Sequence, residues 1–149
     1  MSVNRSVLVI NGPNLNLLGV REPTVYGGET LEQINSAITV TANRLGCNVS
    51  FFQSNVEGEI VSAIQQSLGI YDGIIINPAA YTHTSVAIRD AIAAVGLPVI
   101  EVHLSNVYKR EEFRHKSYIA PVAVAQIAGF GANGYSLALK GLLDYLNKI

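Results

Sequence analysis

The chain has 149 residues, the size of one compact domain with one core and one site, able to bury roughly 70% of the surface its unfolded form exposes. Charged residues make up only 14% against 49% hydrophobic, too little charge to cover a small monomer, which points to a homo-oligomer. A net charge of -1 excludes the electrostatic footprint of a nucleic-acid or anionic-membrane partner, and no run approaches the roughly 20 apolar residues of a membrane span.

Apolar runs and helical patterns alternate along the whole length, without linker, repeat or low-complexity stretch. "SVLVI" (6–10) reads as a buried strand. The stretch 11–28, NGPNLNLLGVREPTVYGG, reads as nothing regular. The helix "TLEQINSAITVTANRLG" follows, with Thr30 and Gln33 spaced as a capping box and Gly46 as its stop. "NVSFFQ" (48–53) is a second strand and "EGEIVSAIQQSLG" a second helix. Strand three, "GIIIN" (73–77), ends at Pro78, and helix three runs from a cap at Thr84 or Ser85 through "VAIRDAIAAVG". "PVIEVHL" (98–104) is strand four, a short charged helix is expected over "REEFR", "VAVAQIAG" (122–129) is strand five, and "YSLALKGLLDYLNKI" (135–149) is the last helix.

Strands apolar on both faces and separated by helices predict a parallel sheet covered on each side. The expected fold is therefore α/β: a flavodoxin-like, doubly wound, five-stranded parallel sheet in a three-layer α/β/α arrangement, with residues 1–149 forming a single catalytic domain. Ligands of such sheets lie outside the carboxyl ends of the strands, near the topological switch point. Five segments fall on that edge: 11–28, 53–58, 77–84, 103–118 and 129–135.

The first of these is not a phosphate loop. It has neither G-x-G-x-x-G nor G-x-x-x-x-G-K-[ST], and its helix begins too late to present amides at the strand edge. Its length exceeds the usual strand-to-helix connection of about 2 to 6 residues, as a lid or binding loop would. Glu101 and His103, two apart on strand four, share one face of an otherwise apolar strand. A lone buried carboxylate costs several kcal/mol, so Glu101 must be paired or hydrogen-bonded. The pair reads either as a structural fastening of the sheet or, given its place at the carboxyl edge, as a general acid with its tautomer fixed from behind. Asn77 is a turn former before proline or a site amide, and His83 a loop residue or a second site imidazole. The two arginines of "REEFRH" (110–115) form a solvated charged turn or an anion clamp.

Other chemistries fit poorly. The three histidines, His83, His103 and His115, lack paired ligand spacing, and Cys47, the single cysteine, sits beside an apolar run and reads as packing. The four lysines, Lys109, Lys116, Lys140 and Lys148, stand in polar or helical surroundings that would not desolvate an amine into a nucleophile. A nucleophile elbow is missing. Metal chemistry thus has little support, and dinucleotide binding remains a minor alternative. What remains is acid–base chemistry by a tyrosine and a histidine. A tyrosine acting as base must come from about pKa 10 toward about 7, roughly 4 kcal/mol. A unit positive charge about 4 Å away supplies about that much at an effective dielectric near 20, and only about 1 kcal/mol in bulk water. Arg21 and Tyr26, sharing one glycine-flanked loop, form a self-consistent activator, base and lid.

The stretches "NGPNLNLLGVREPTVYG", "INPAAYTHTSVAIRDA", "IEVHLSNVYKREEFRHKSYIAP" and "IAGFGANGYSLAL" resemble the type II 3-dehydroquinate dehydratases, over nearly the whole chain and in one register. The resemblance implies a cofactor-free and metal-free anti elimination of water from 3-dehydroquinate through an enolate, in the shikimate or quinate pathway. It assigns Tyr26 as the base at C2, Arg21 as its activator, Asn14 as the holder of a water against the enolate oxygen, and His103, backed by Glu101, as the acid for the C1 hydroxyl. Asn77 and the Leu104–Ser105 segment match holders of the substrate carboxylate and a nearby hydroxyl, and His83 and Arg114 match ring-hydroxyl contacts. Asp90 matches a residue that reaches a neighbouring subunit's site, in an assembly that is a dodecamer, a tetramer of trimers. The expected partners are thus the small-molecule substrate 3-dehydroquinate and further copies of the chain, with no nucleic acid and no membrane, in the cytoplasm. Departures from the pattern are Ala79 where glycine is common, Tyr108–Lys109 where His-Ala is frequent, Ala120 for serine and Phe130 for a smaller apolar residue; none falls on a catalytic position. The rival expectation, from another class, is a flavodoxin-like module that binds a small carboxylate without turning it over.

Overall fold

A computed structural model describes residues 4–20 and 22–149, so Arg21 lies outside the described residues. Five strands, β1 (Ser6–Asn11), β2 (Asn48–Gln53), β3 (Gly73–Asn77), β4 (Val99–His103) and β5 (Ala125–Ala128), form one parallel sheet in the order β2-β1-β3-β4-β5. This is the flavodoxin-like order, with its switch point between β1 and β3. The connections carry the helices α1 (Pro23–Tyr26), α2 (Leu31–Leu45), α3 (Glu57–Gln66), α4 (Val86–Val95) and α5 (Asn133–Leu146).

Side chains alternate across the pleat and build two cores. Val7, Val9, Ile75, Ile100 and Val102 pack on one face against Ile34 and Ile38 of α2 and Tyr135, Leu139 and Leu142 of α5. Leu8, Ile10, Ile74, Ile76 and Val99 pack on the other against Ile60 and Ile64 of α3 and Ile88 and Ile92 of α4. The three layers follow from strands that are apolar on both sides. The helix signals also act as read: Thr30 accepts from the Gln33 amide while the Gln33 side chain takes the Thr30 amide, completing the capping box, and Gly46 closes α2 at φ 75°. Of the two candidate caps for α4, Ser85 does the work, accepting from the Ile88 amide at 2.9 Å.

Several boundaries move. Strand five is Ala125–Ala128 rather than 122–129, because Ala120–Val122, with Pro121 inside it, makes a 3-10 turn first. The last helix starts at Asn133, taking Gly134 into its first turn. "REEFR" is not one helix: the backbone is extended at Arg110 (φ -107°, ψ -167°), which splits the segment into 3-10 turns at Val107–Lys109 and Glu112–Arg114. The irregular opening loop contains a 3-10 turn at Leu15–Leu17 and the single-turn α1.

At the carboxyl edge, Gly12 locks β1 to β3. Its amide donates to the Asn77 carbonyl at 2.8 Å, and a Cβ there would stand 2.5 Å from the Pro78 carbonyl oxygen, a backbone atom with no room to yield. Gly12→Ala should therefore destabilise the fold by about 1–3 kcal/mol, read as a lowered urea midpoint; an unchanged midpoint would mean that the two strand ends are not held this closely.

Candidate active site

Beyond the carboxyl ends of β1, β3 and β4 lies a cavity partly open to solvent. The strands and turns bring Asn14, Tyr26, Asn77, His83, His103, Leu104, Ser105 and Arg114 to its wall. These eight come from three of the five edge segments, 11–28, 77–84 and 103–118. A wider apolar hollow between β2 and α3 offers only Glu59 among ionisable carboxylates and no basic group, so it is the smaller cleft that gathers the chemistry.

His103 and Glu101 are both buried on the same side of β4, and the imidazole Nε2 hydrogen-bonds a Glu101 carboxylate oxygen. The carboxylate also accepts from the Ser117 hydroxyl, 2.8 and 3.0 Å from its two oxygens, and from the Gln126 amide at 2.8 Å. Burial alone would push the Glu101 carboxyl up; the donors His103, Gln126 and Ser117 outweigh it and hold it below its usual value. An ionised partner fixes the proton of His103 on Nε2 and leaves Nδ1 for a ligand.

Asn77, also buried, has its amide oriented from both ends. Its Nδ2 donates to the Tyr135 hydroxyl at 3.0 Å, and its Oδ1 accepts from the Ala79 amide at 3.1 Å. Tyr135 in turn donates to Asn11 Oδ1; burial pushes its phenol far above the ordinary value, so it stays a protonated donor. One N–H and one lone pair of Asn77 remain for a ligand. Ala79 sits at φ 54°, in the left-handed region, which explains physically why glycine suits this position.

Asn14 is likewise left-handed (φ 69°), a conformation asparagine tolerates. Its amide donates to Asn55 Oδ1 at 2.9 Å, and its side chain does not cap the 3-10 turn that follows. His83 stacks beside His103, with ring centroids 6.5 Å apart. Its Nδ1 meets the Lys116 carbonyl at 2.8 Å and so carries the hydrogen. Burial draws the His83 imidazole below the ordinary histidine value, with His103 and Arg114 acting in the same direction and the Lys116 carbonyl opposing. Its Nε2 is thereby an acceptor toward the cavity.

Arg110 and Arg114 both line the cleft, although the helix expected to align them is absent. The Arg110 guanidinium lies 5.1 Å from the Tyr26 ring centroid and its Nη1 is 3.5 Å from Ser105 Oγ; both arginines also pair with Glu111, Arg110 at 3.8 Å and Arg114 at 3.2 Å. Asp90 is elsewhere: on α4, exposed, paired with Arg89 at 3.1 Å and off the cavity wall. Residues that the sequence did not disclose are Arg110 as a neighbour of Tyr26, and Ser117, Gln126, Asn55 and Tyr135 as supports. Only the in-register pairing of Glu101 with Gln126 across β4 and β5 could have signalled one of them.

Proton transfer on a small anion, in a cleft of a doubly wound α/β domain, is what this arrangement can perform, and the class it defines is that of small acid–base enzymes of flavodoxin-like fold. Comparison with known proteins narrows it. Residues 5–143 match the family model described as dehydroquinase class II. The chain is 60% identical over 141 residues to the 3-dehydroquinate dehydratase of Acaryochloris marina (strain MBIC 11017), with 95% of each chain covered. Among solved structures it is similar to the type II dehydroquinase of Butyrivibrio crossotus DSM 2876, with 48% identity, 94% of this chain and 98% of that one covered, and a TM-score of 0.92. That of Propionibacterium acnes gives 39% identity, 97% and 99% coverage, and a TM-score of 0.91. The chain belongs to the class II dehydroquinase family.

Folding lowers the Glu101 pKa, so its stabilising contribution is complete above the usual value of 4.5 and disappears as pH falls through the lower folded value. Urea midpoints between pH 7 and pH 3 should therefore fall more steeply for the wild type than for Glu101→Gln, the gap between the two narrowing toward acid. Parallel curves would show that this carboxylate is not ionised in the folded protein.

Proposed function

We propose that this chain is a type II 3-dehydroquinate dehydratase, a hydro-lyase forming 3-dehydroshikimate in the shikimate pathway, with its catalytic residues on one domain. The observation that carries the residue assignments is that Tyr26 and His103, candidate base and candidate acid, line the same cavity, in a chain 60% identical to a named 3-dehydroquinate dehydratase.

The tyrosinate form of Tyr26 takes the proton from C2, and the C–H electron pair forms an enolate with the C3 carbonyl. Positive charge stabilises the tyrosinate: Arg21 is assigned that part by the family pattern, and the Arg110 guanidinium beside the Tyr26 ring has the same sign. Asn14, with an amide not spent on capping, holds a water against the enolate oxygen. The enolate then collapses, the C1–O bond breaks, and His103 gives the proton from Nδ1 to the departing hydroxyl, leaving as water. The Nε2–H bond to Glu101 persists throughout, so the imidazole returns to its neutral form without turning. Transfer of the proton from Tyr26 back to His103 through water resets the site. Asn77, Leu104 and Ser105 hold the substrate carboxylate and a neighbouring hydroxyl, and His83 and Arg114 the ring hydroxyls.

The exposed position of Asp90 suits a residue that completes a neighbouring copy's site, and the homo-oligomer is a dodecamer built as a tetramer of trimers. Weak surface charge favours that assembly over an isolated monomer. No described helix is long and apolar enough to cross a membrane, and the site of action is the cytoplasm.

Mixing the protein with 3-dehydroquinate should raise near-ultraviolet absorbance, since only the dehydrated product carries a conjugated enone carboxylate; a flat trace from folded protein would leave a carboxylate-binding module. Tyr26→Phe should lower kcat by roughly 10²–10⁴-fold while ligand binding and fold persist, and a rate within a few-fold of wild type would remove Tyr26 from the role of base. His103→Ala should lower kcat far more than it raises KM. A pure KM effect would make His103 a binding residue.

A further inference from the structure

The hydrogen bonds behind Glu101 have a valence pattern that goes further. The Ser117 hydroxyl oxygen accepts from the Ile119 amide at 3.1 Å and the Ala120 amide at 2.9 Å. Both lone pairs are thereby filled, and the single hydroxyl hydrogen has only Glu101 to go to. Ser117 is thus an obligate donor to the carboxylate. Gln126, the register partner of Glu101 on β5, directs its amide N–H₂ to the same group. Neither residue lines the cavity.

Resting on the reaction proposed above, we propose that Ser117 and Gln126 are positioning residues for the general acid: by donating to Glu101 they hold it as a carboxylate and keep the proton shared by the Glu101–His103 pair on the imidazole, which sets the pH range of turnover.

The sign follows from counting protonation states of the pair. A carboxylate that loses a donor is destabilised whenever it is bare. With one proton on the pair, that proton can retreat to Glu101 and leave His103 neutral; with none, the carboxylate has no such escape. Removing a donor therefore makes the pair keep its last proton to higher pH, while a smaller share of that proton resides on His103. The basic limb of kcat moves up, and the plateau falls. The other ionisable groups near the pair, all retained in these variants, are His83, Tyr26, Arg110 and Arg114 at the cavity and Lys116 and Tyr118, which flank Ser117 and contact each other at 4.8 Å.

The test measures kcat and KM against pH for the wild type, Gln126→Leu, Ser117→Ala and Ser117→Thr, together with ¹⁵N NMR titration of the His103 ring in the substrate-free proteins. In Gln126→Leu and Ser117→Ala the basic limb and the ring titration should move up by about one pH unit, the worth of one hydrogen bond to a charged group. The kcat plateau should fall several-fold with KM little changed, and Ser117→Thr should restore both limb and plateau. The Gln126 side chain makes no bond to the backbone in addition to the one it gives Glu101, unlike Ser117, so Gln126→Leu decides the matter even where Ser117→Ala does not fold. Wild-type limbs and plateau in Gln126→Leu would overturn the proposal, as would Ser117→Thr behaving like Ser117→Ala when both are folded. A wild type without turnover would refute the proposed reaction instead, and the ring titration would still judge these two residues.

Discussion

A carboxylate buried on a central strand is the constraint around which this molecule is arranged. Glu101 is fully buried on β4, where an uncompensated charge would cost several kcal/mol. Its compensation is drawn from three places: His103 two residues along, Ser117 on the loop after the arginine-bearing turns, and Gln126 on the edge strand. Each partner fixes more than the charge. Gln126 ties the register of β5 to β4, and Ser117 fastens the start of the turn at Ala120–Val122 through two backbone amides. The imidazole is held as the third. One ionised group therefore makes sheet edge, loop and candidate acid a single cooperative unit.

The opposite wall of the cleft is built without charge. Gly12 permits close contact between the ends of β1 and β3, and the Asn11–Tyr135–Asn77 chain then spans that junction inside the protein. Asn14 takes its left-handed turn directly beyond, tied to Asn55, whose own carbonyl accepts from Tyr81 at 2.7 Å. Neutral amides and a phenol suffice here because, in the proposed reaction, this wall orients the substrate rather than exchanging protons with it. Their hydrogen bonds to one another offset much of the cost of burial.

Much of the architecture was legible in the sequence because it depends on local patterns. Uninterrupted apolar strands between capped helices imply the three layers, and the i, i+2 spacing of Glu101 and His103 places them together whatever the rest of the fold does. Supports that depend on register or on distant loops were not legible. Ser117 and Gln126 lie 16 and 25 residues beyond Glu101, and no local period connects them to it. The arginines of 110–114 show a different failure. Their chemistry was readable from charge and position, but helical spacing was the wrong reason: an extended Arg110 breaks the helix and still delivers both side chains to the cleft. Asp90 carries no signal for this cavity, because its place in the proposed reaction belongs to another copy.

The contrast between the settings of the candidate acid and the candidate base has a physical reason. A general acid that must return to the same tautomer every cycle gains from a permanent, buried carboxylate, and β4 provides one. A tyrosine base needs the reverse: positive charge, brought close in a dry environment, since a cation about 4 Å away changes from about 1 to about 4 kcal/mol in effect when the dielectric falls from that of water to near 20. Burying such an arginine permanently would cost as much as burying the carboxylate, without a comparable set of partners. Tyr26 ends the single-turn α1, just before the left-handed Gly27, with the Arg110 guanidinium 5.1 Å from its ring centroid, and in the proposed reaction a covering segment would supply the dryness. The opening loop can thus be long and irregular for the same reason that β4 must be rigid.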